Sequence, residues 1–321
     1  MSLVINTTTP EGIVLAADSR QSYRNMKGMA RIGSENAMKL FQINRKIGVG
    51  ITGLAFLPEG GVQKNVSQYI EEFRRGSKVK KMEVKEVARK LHHLFNDKYH
   101  WQEQLDQIKA NIQNDLASKG CTMLQMEMDG QLLKFTFKTP QGTIENGMAR
   151  ADPIELLVAG YNPDGSYQVY SVAIPGPVQK LRDSEKPNIK YGSSWIGQGD
   201  VAARIVLGFD GRIQNVEFVK EAIQTKSEPE IQSQLRGLEY AIQWGTMTLQ
   251  DAIDFATLMI QTTSAIQRFS DGINADPGDM PGVGGPINVA VITPDQGFVW
   301  VKKKKLSFED SEVDLDSEPS L

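Results

Sequence analysis

The sequence predicts an α+β fold in which antiparallel sheets are layered with helices, and three observations predict it. Apolar and β-branched runs come in pairs joined by turn residues, two blocks of helical periodicity separate those pairs, and a last strand pair closes the pattern. The first pair is residues 3–9 and 13–17, joined by Pro10-Glu11-Gly12. Its second run, Ile13-Val14-Leu15-Ala16-Ala17, carries no polar residue, as a strand covered on both faces would. Residues 39–43 and 46–52 flank Asn44-Arg45, the tip of a second hairpin.

Helical spacing follows at Val62, Val66, Tyr69, Ile70 and Phe73. A second helical stretch covers 84–116, with Ala88, Leu91, Leu94 and Phe95 on one side. It turns polar beyond His100, so its end is expected to project. Strands return at 132–138 and 143–148 around Pro140-Gln141-Gly142, and at 154–161 and 167–173 around Asn162-Pro163-Asp164-Gly165. From Asp200 the pattern is helical again, around Ala202, Ile205, Val206 and Leu207. The best helix covers 249–269, where Thr248 and Asp251 form a capping box. The closing pair, 287–293 and 298–301, turns at Pro294-Asp295. One domain over 1–307 is expected, with insertions at about 97–150 and 212–246. The acidic, Ser- and Pro-containing stretch 308–321 is expected to be a disordered tail.

Composition narrows the function. Among 321 residues, 40% are hydrophobic and 23% charged, enough for a large core and a soluble surface. A formal net charge of −3 gives no electrostatic reason to expect nucleic acid or an acidic membrane as partner. The single cysteine, Cys121, cannot close an internal disulfide and suits a reducing compartment. There is no apolar run near the roughly 20 residues of a membrane span, and no basic leader or signal core, so a cytoplasmic location is expected. His92-His93 and His100 lack a nearby carboxylate cluster, so neither a metal nor any other cofactor is expected. Asp276-Pro277-Gly278-Asp279 reads as a turn, and Lys302 to Lys305 as a solvated strand edge. Gly282-x-Gly284-Gly285 precedes a strand and so is no phosphate loop.

Four stretches carry a resemblance. Gly12 to Arg20 ends in Ala17-Asp18-Ser19-Arg20, and Lys39-Leu40-Phe41 leads to Gly53 fourteen positions on. Leu157-Val158-Ala159-Gly160-Tyr161-Asn162-Pro163-Asp164-Gly165 is the third, and Gly284-Gly285 before Ile287-Asn288-Val289 the fourth. In this order they resemble proteasome β-subunits, a family of N-terminal-nucleophile (Ntn) hydrolases. The resemblance implies a four-layer αββα sandwich and a peptidase. Its substrates would be peptides or unfolded polypeptides, and its assembly a homo-oligomer, ring or helical. It leaves open whether an ATPase partner acts with it.

The resemblance also implies a site. The family's nucleophile stands sixteen positions before the motif Asp, which here is Ser2, exposed as the first residue once Met1 is removed. An α-amine with a pKa of about 7.7–8.0 can then act as base for its own hydroxyl. Lys39 would lend a cation to the alkoxide, Asp18 would hold Lys39 charged, and the Gly53 N–H would donate to the oxyanion. Ile51 and Ala55 match the specificity pocket and imply apolar or small side chains before the scissile bond. Thr7-Thr8-Thr9 resembles a processed threonine start. A chain beginning at Thr7, however, leaves eleven positions to Asp18, roughly 16 Å short at about 3.3 Å per residue.

Those threonines are read instead as lining the cleft or turning the hairpin. Departures are Ser for Thr at the nucleophile, Gln198 and Val283 where the family has serines, and Asp279 one position off register. Two alternatives stay open on the same scaffold. One is a non-peptide amidase or acylase; the other is a catalytically silent ring-forming subunit.

Overall fold

Period-two alternation along the first hairpin sets the packing. Strand Leu3–Thr9 pairs with strand Gly12–Ala17, Val4 opposite Ala17 and Thr9 opposite Gly12. Successive side chains of a strand face opposite ways. Val4, Ile13, Leu15 and Ala17 therefore meet Leu40, Leu157 and Ala159 of a second sheet. Leu3, Ile5, Val14 and Ala16 meet Ala252, Ala256, Met259 and Ile260 of helix Leu249–Phe269. The far face of the second sheet, through Val49, Ile51, Leu156 and Val158, packs on Val87, Leu91 and Phe95 of helix Val84–Lys98. Each Val, Leu, Ile, Phe or Met buried in this way contributes about 1.5–3 kcal/mol.

This computed structural model describes residues 2–24, 29–76, 78–273, 276–277, 281–308 and 311–313. The chain is a mixed α+β protein with several antiparallel sheets. The first sheet runs Gly192–Gly197, Leu3–Thr9, Gly12–Ala17, Asn288–Thr293, Gly297–Lys302. The second runs Val178–Asp183, Tyr167–Ile174, Ile154–Tyr161, Ile47–Gly53, Leu40–Asn44. Most of the acidic stretch expected to be a disordered tail, 309–310 and 314–321, lies outside the described residues.

Several local expectations shift. Val62 belongs to strand Val62–Asn65, and the first helix starts only at Val66, where the Asn65 side chain accepts from the Ser67 N–H. The stretch 84–116 breaks at Tyr99-His100 into helices Val84–Lys98 and Trp101–Ser118. Tyr99 leaves helical geometry and donates its hydroxyl to the Asp152 carbonyl at 2.7 Å. Strands that were not expected include Thr122–Asp129, Val178–Asp183 and Gly192–Gly197. The first joins Leu132–Lys138 and Ile144–Arg150 in a separate three-stranded sheet. The capping box at Thr248 and Asp251 forms as expected.

Close approach of the two sheets rests on Gly50. A Cβ there would lie 2.4 Å from Val4 Cγ1, well inside contact distance. Gly50→Ala should destabilise the protein by about 1–3 kcal/mol through overpacking. Adding Val4→Ala should remove part of that penalty, so the double variant falls short of the sum of the singles in urea unfolding. Additive effects would show that the sheets do not meet at this pair.

Candidate active site

Asp18 follows the end of strand Gly12–Ala17 and is 0% exposed. A buried carboxylate must be matched by donors or it is strongly destabilising, and four donors converge on it. Oδ1 accepts from the Leu3 N–H at 2.9 Å and from Lys39 Nζ at 2.7 Å. Oδ2 accepts from the Arg20 N–H at 3.2 Å and the Gly284 N–H at 3.1 Å. The residue after Ser2 and the ammonium of Lys39 therefore share one oxygen.

Lys39 precedes strand Leu40–Asn44 and is 6% exposed. Its ammonium also donates to the Arg20 carbonyl at 2.5 Å. The sequence reading has Asp18 keeping Lys39 charged. Asp18 does act in that direction, but burial is the larger effect, and Lys39 lies below the ordinary lysine value. A lysine so placed releases its proton more readily than a surface one.

Gly53 ends strand Ile47–Gly53 with φ +94°, and a Cβ there would sit 1.9 Å from the Pro153 carbonyl oxygen. Backbone packing alone requires glycine at this position. Ser2 is 6% exposed at the start of the first strand, and its carbonyl accepts from the Gln198 N–H at 2.8 Å. Ser2, Lys39 and Gly53 line one pocket of about 50 Å³, with Ile51, Leu54 and Ala55 as apolar wall. Asp18 stands behind this pocket. Met1 and Asp279 lie outside the described residues.

Thr7, Thr8 and Thr9 do not line a cleft. Each is 0% exposed, Thr7 pairing with both Ser193 and Val14 in mid-sheet. Val283, where the resemblance expects a serine, is also fully buried, in the apolar cluster beneath helix Leu249–Phe269.

Two residues near the site escape sequence reasoning. Glu155 Oε2 accepts from the Thr52 hydroxyl at 3.3 Å and the Gly197 N–H at 3.0 Å, tying the two sheets together beside the pocket. Its signal was available: one charged residue inside the otherwise apolar strand Ile154–Tyr161. Gln267, which touches Gln198 and the 282–283 backbone, carries no such mark on a helix already half polar.

A larger cavity of about 570 Å³ lies alongside, lined by Gln198, Asp200, Arg204, Arg212 and Gln267 among others. It holds none of Ser2, Asp18 or Lys39. Its arginines are engaged by Asp210 and Asp200. The candidate residues Ser2, Lys39 and Gly53 therefore gather at the smaller pocket. Among the described residues no group of three or more His, Cys, Asp or Glu could hold a metal ion. No helix among them is long and apolar enough to cross a membrane.

No protein-family model matches the chain, and no curated protein matches it. Among solved structures it is similar to a Gly-1 mutant of Anbu from Hyphomicrobium sp. strain MC1, at 10% identity and TM-score 0.45, over 93% of this chain and 85% of that one. It is also similar to Anbu, titled an ancestral beta-subunit, from Yersinia bercovieri, at 10% identity and TM-score 0.46, over 94% and 88%. A likeness of this size assigns neither family nor activity. The expected membership of the proteasome β-subunit-type family is therefore corrected. Its four stretches are short, and local packing accounts for some of their residues: Gly53 answers to Pro153, and the run 13–17 to apolar cover on both faces.

The Asp18–Lys39 pair gives two measurable consequences. Asp18→Asn leaves a buried ammonium beside a neutral partner and should destabilise by about 3–5 kcal/mol in urea unfolding; a change under about 1 kcal/mol would overturn the pair's role. Lys39 has a lower pKa folded than the usual value of about 10.4, so between those two values the folded state binds fewer protons than the unfolded. Wild-type stability relative to Lys39→Met should then rise with pH across that window. A flat difference would overturn the lowered pKa.

Proposed function

We propose that this chain hydrolyses amide bonds, peptide bonds foremost, through Ser2 as an N-terminal nucleophile after removal of Met1. One observation carries the reading: Asp18 Oδ1 accepts from both the Leu3 N–H and Lys39 Nζ, while Ser2, Lys39 and Gly53 share a pocket. The three apolar clusters, one between the sheets and one beneath helices on each outer face, support an αββα layering for the same reading.

The Ser2 α-amine takes the hydroxyl proton as Oγ attacks the substrate carbonyl. The Lys39 ammonium and the Gly53 N–H stabilise the developing negative charge. The amine then passes its proton to the leaving amine as the C–N bond breaks, leaving an ester on Oγ. Water hydrolyses that ester by the same proton route and restores the hydroxyl. Ile51 and Ala55 in a pocket of about 50 Å³ favour small apolar side chains on the acyl side. We further propose that the chain works as a homo-oligomer. Leu258, Ile266 and Phe269 are exposed on the long helix, a stripe that a second copy can cover. A single species at the 35.6 kDa of one chain by light scattering would refute the oligomer.

Intact-mass and peptide mapping after exposure to a β-lactone test the nucleophile. The adduct should map to Ser2 on a chain lacking Met1, and Ser2→Ala should abolish it. Lys39→Ala should slow it on the order of 10²–10³-fold. Thr7→Ala should leave Ser2 labelled. The labelling rate should climb as pH rises through about 7.7–8.0, where the α-amine loses its proton. Labelling that survives Ser2→Ala and vanishes with Thr7→Ala would overturn the proposal.

A further inference from the structure

Both positions where a serine was expected, Gln198 and Val283, meet the same side chain. Gln267, on the last turn of helix Leu249–Phe269, accepts through Oε1 from the Gly282 N–H at 3.0 Å and the Val283 N–H at 2.9 Å. Two N–H donors on one atom fix which end of the amide is oxygen. Its Nε2 must then face Gln198, and it donates to Gln198 Oε1 at 3.0 Å.

These bonds close a ring. The Gln198 N–H holds the Ser2 carbonyl, Ser2 leads to Leu3, and the Leu3 N–H holds Asp18 Oδ1. Asp18 Oδ2 accepts from Gly284, the next residue after Val283, and Val283 returns to Gln267. The ring runs through both Ser2's own backbone and the carboxylate that holds Lys39. Cutting the ring at Gln267 unties Gln198, which holds the Ser2 carbonyl, from the 282–283 backbone, while the Leu3 and Gly284 bonds to Asp18 remain.

We infer that Gln267 is a positioning residue that sets Ser2 against Lys39, replacing with one amide clamp what two hydroxyls were expected to supply. The inference rests on the reading of Ser2 as nucleophile. Gln267 does not line the pocket that Ser2, Lys39 and Gly53 share. It acts on geometry, and small displacements of a nucleophile slow its reaction on the order of 10–100-fold.

The test is the acylation rate of full-length protein with a β-lactone, resolved into maximal rate and half-saturating concentration, with melting temperature recorded in parallel. Gln267→Leu should lower the maximal rate about 10–100-fold and leave half-saturation within about twofold. Gln198→Ala should do likewise, and the double variant should be no slower than the slower single, because a ring is cut once. Gln267→Glu preserves shape and both acceptor bonds, so it covers the case where Gln267→Leu unfolds. It sets a carboxylate against Gln198 Oε1. Its rate relative to wild type should fall at neutral pH and recover toward pH of about 4.3, where the acid regains a proton to donate.

Absence of labelling on wild-type Ser2 overturns the nucleophile reading and this inference together. Labelling of wild type that Gln267→Leu and Gln267→Glu leave unchanged overturns the clamp alone. Multiplying effects in the double variant also overturn it.

Discussion

The burial of the Asp18 carboxylate is the constraint on which the site depends. A charge at 0% exposure is tolerated only with its lone pairs filled. Here the four donors come from the chain start, the segment after the second strand, the segment before Leu40, and the loop ahead of Asn288. Backbone hydrogen bonds already join some of these segments, the Asp18 N–H to the Leu3 carbonyl and the Ser19 and Arg20 N–H groups to the Gly284 carbonyl. The one carboxylate is where all four meet, and Lys39 is buried with it. Its lowered pKa is thus a product of the same burial, not a separate adjustment.

The pocket lies on the seam between two sheets. Ser2 immediately precedes a strand of the first sheet, while Gly53 ends a strand of the second. Their separation is therefore set by how closely the sheets pack, which Gly50 against Val4 controls. Glu155 crosses the same seam, gripping Thr52 on its own sheet and Gly197 on the other. Sheet spacing and site geometry are one quantity measured at two places.

Much of this was legible in the residues, and the division has a physical cause. Hairpins with strong turn residues and the capped helix at Thr248 are local, and their signals sit within a few positions of each other. Ser2, Asp18, Lys39 and Gly53 were named from short stretches, and three of them line one pocket with the fourth behind it. Family membership did not follow from those stretches, because four short packing solutions fall short of a match along the chain. The strands 178–183 and 192–197 were missed since each is an edge, half exposed and mixed in polarity, and gains its place only from a partner far along the chain. The break at Tyr99 was hidden in the same way: Asp152 supplies the reason, and it lies 53 residues away.

The triple threonine shows how a polar run can mislead. Thr7, Thr8 and Thr9 look exposed by composition, yet all are buried because each hydroxyl has a nearby partner. Thr7 donates to the Ser193 hydroxyl at 3.3 Å, Thr8 to Asn6 Oδ1 at 3.2 Å, and Thr9 to the Gly12 carbonyl at 3.4 Å. Asn6 closes the set by donating to the Val14 carbonyl at 3.2 Å. A chain beginning at Thr7 would lose Leu3, Val4 and Ile5, which are 0% exposed and join the clusters on both faces of the sheet. It would also lose the Leu3 N–H from Asp18. The core and the carboxylate both require residues 3–6 in place, and that requirement favours Ser2, not Thr7, as the residue standing at the pocket.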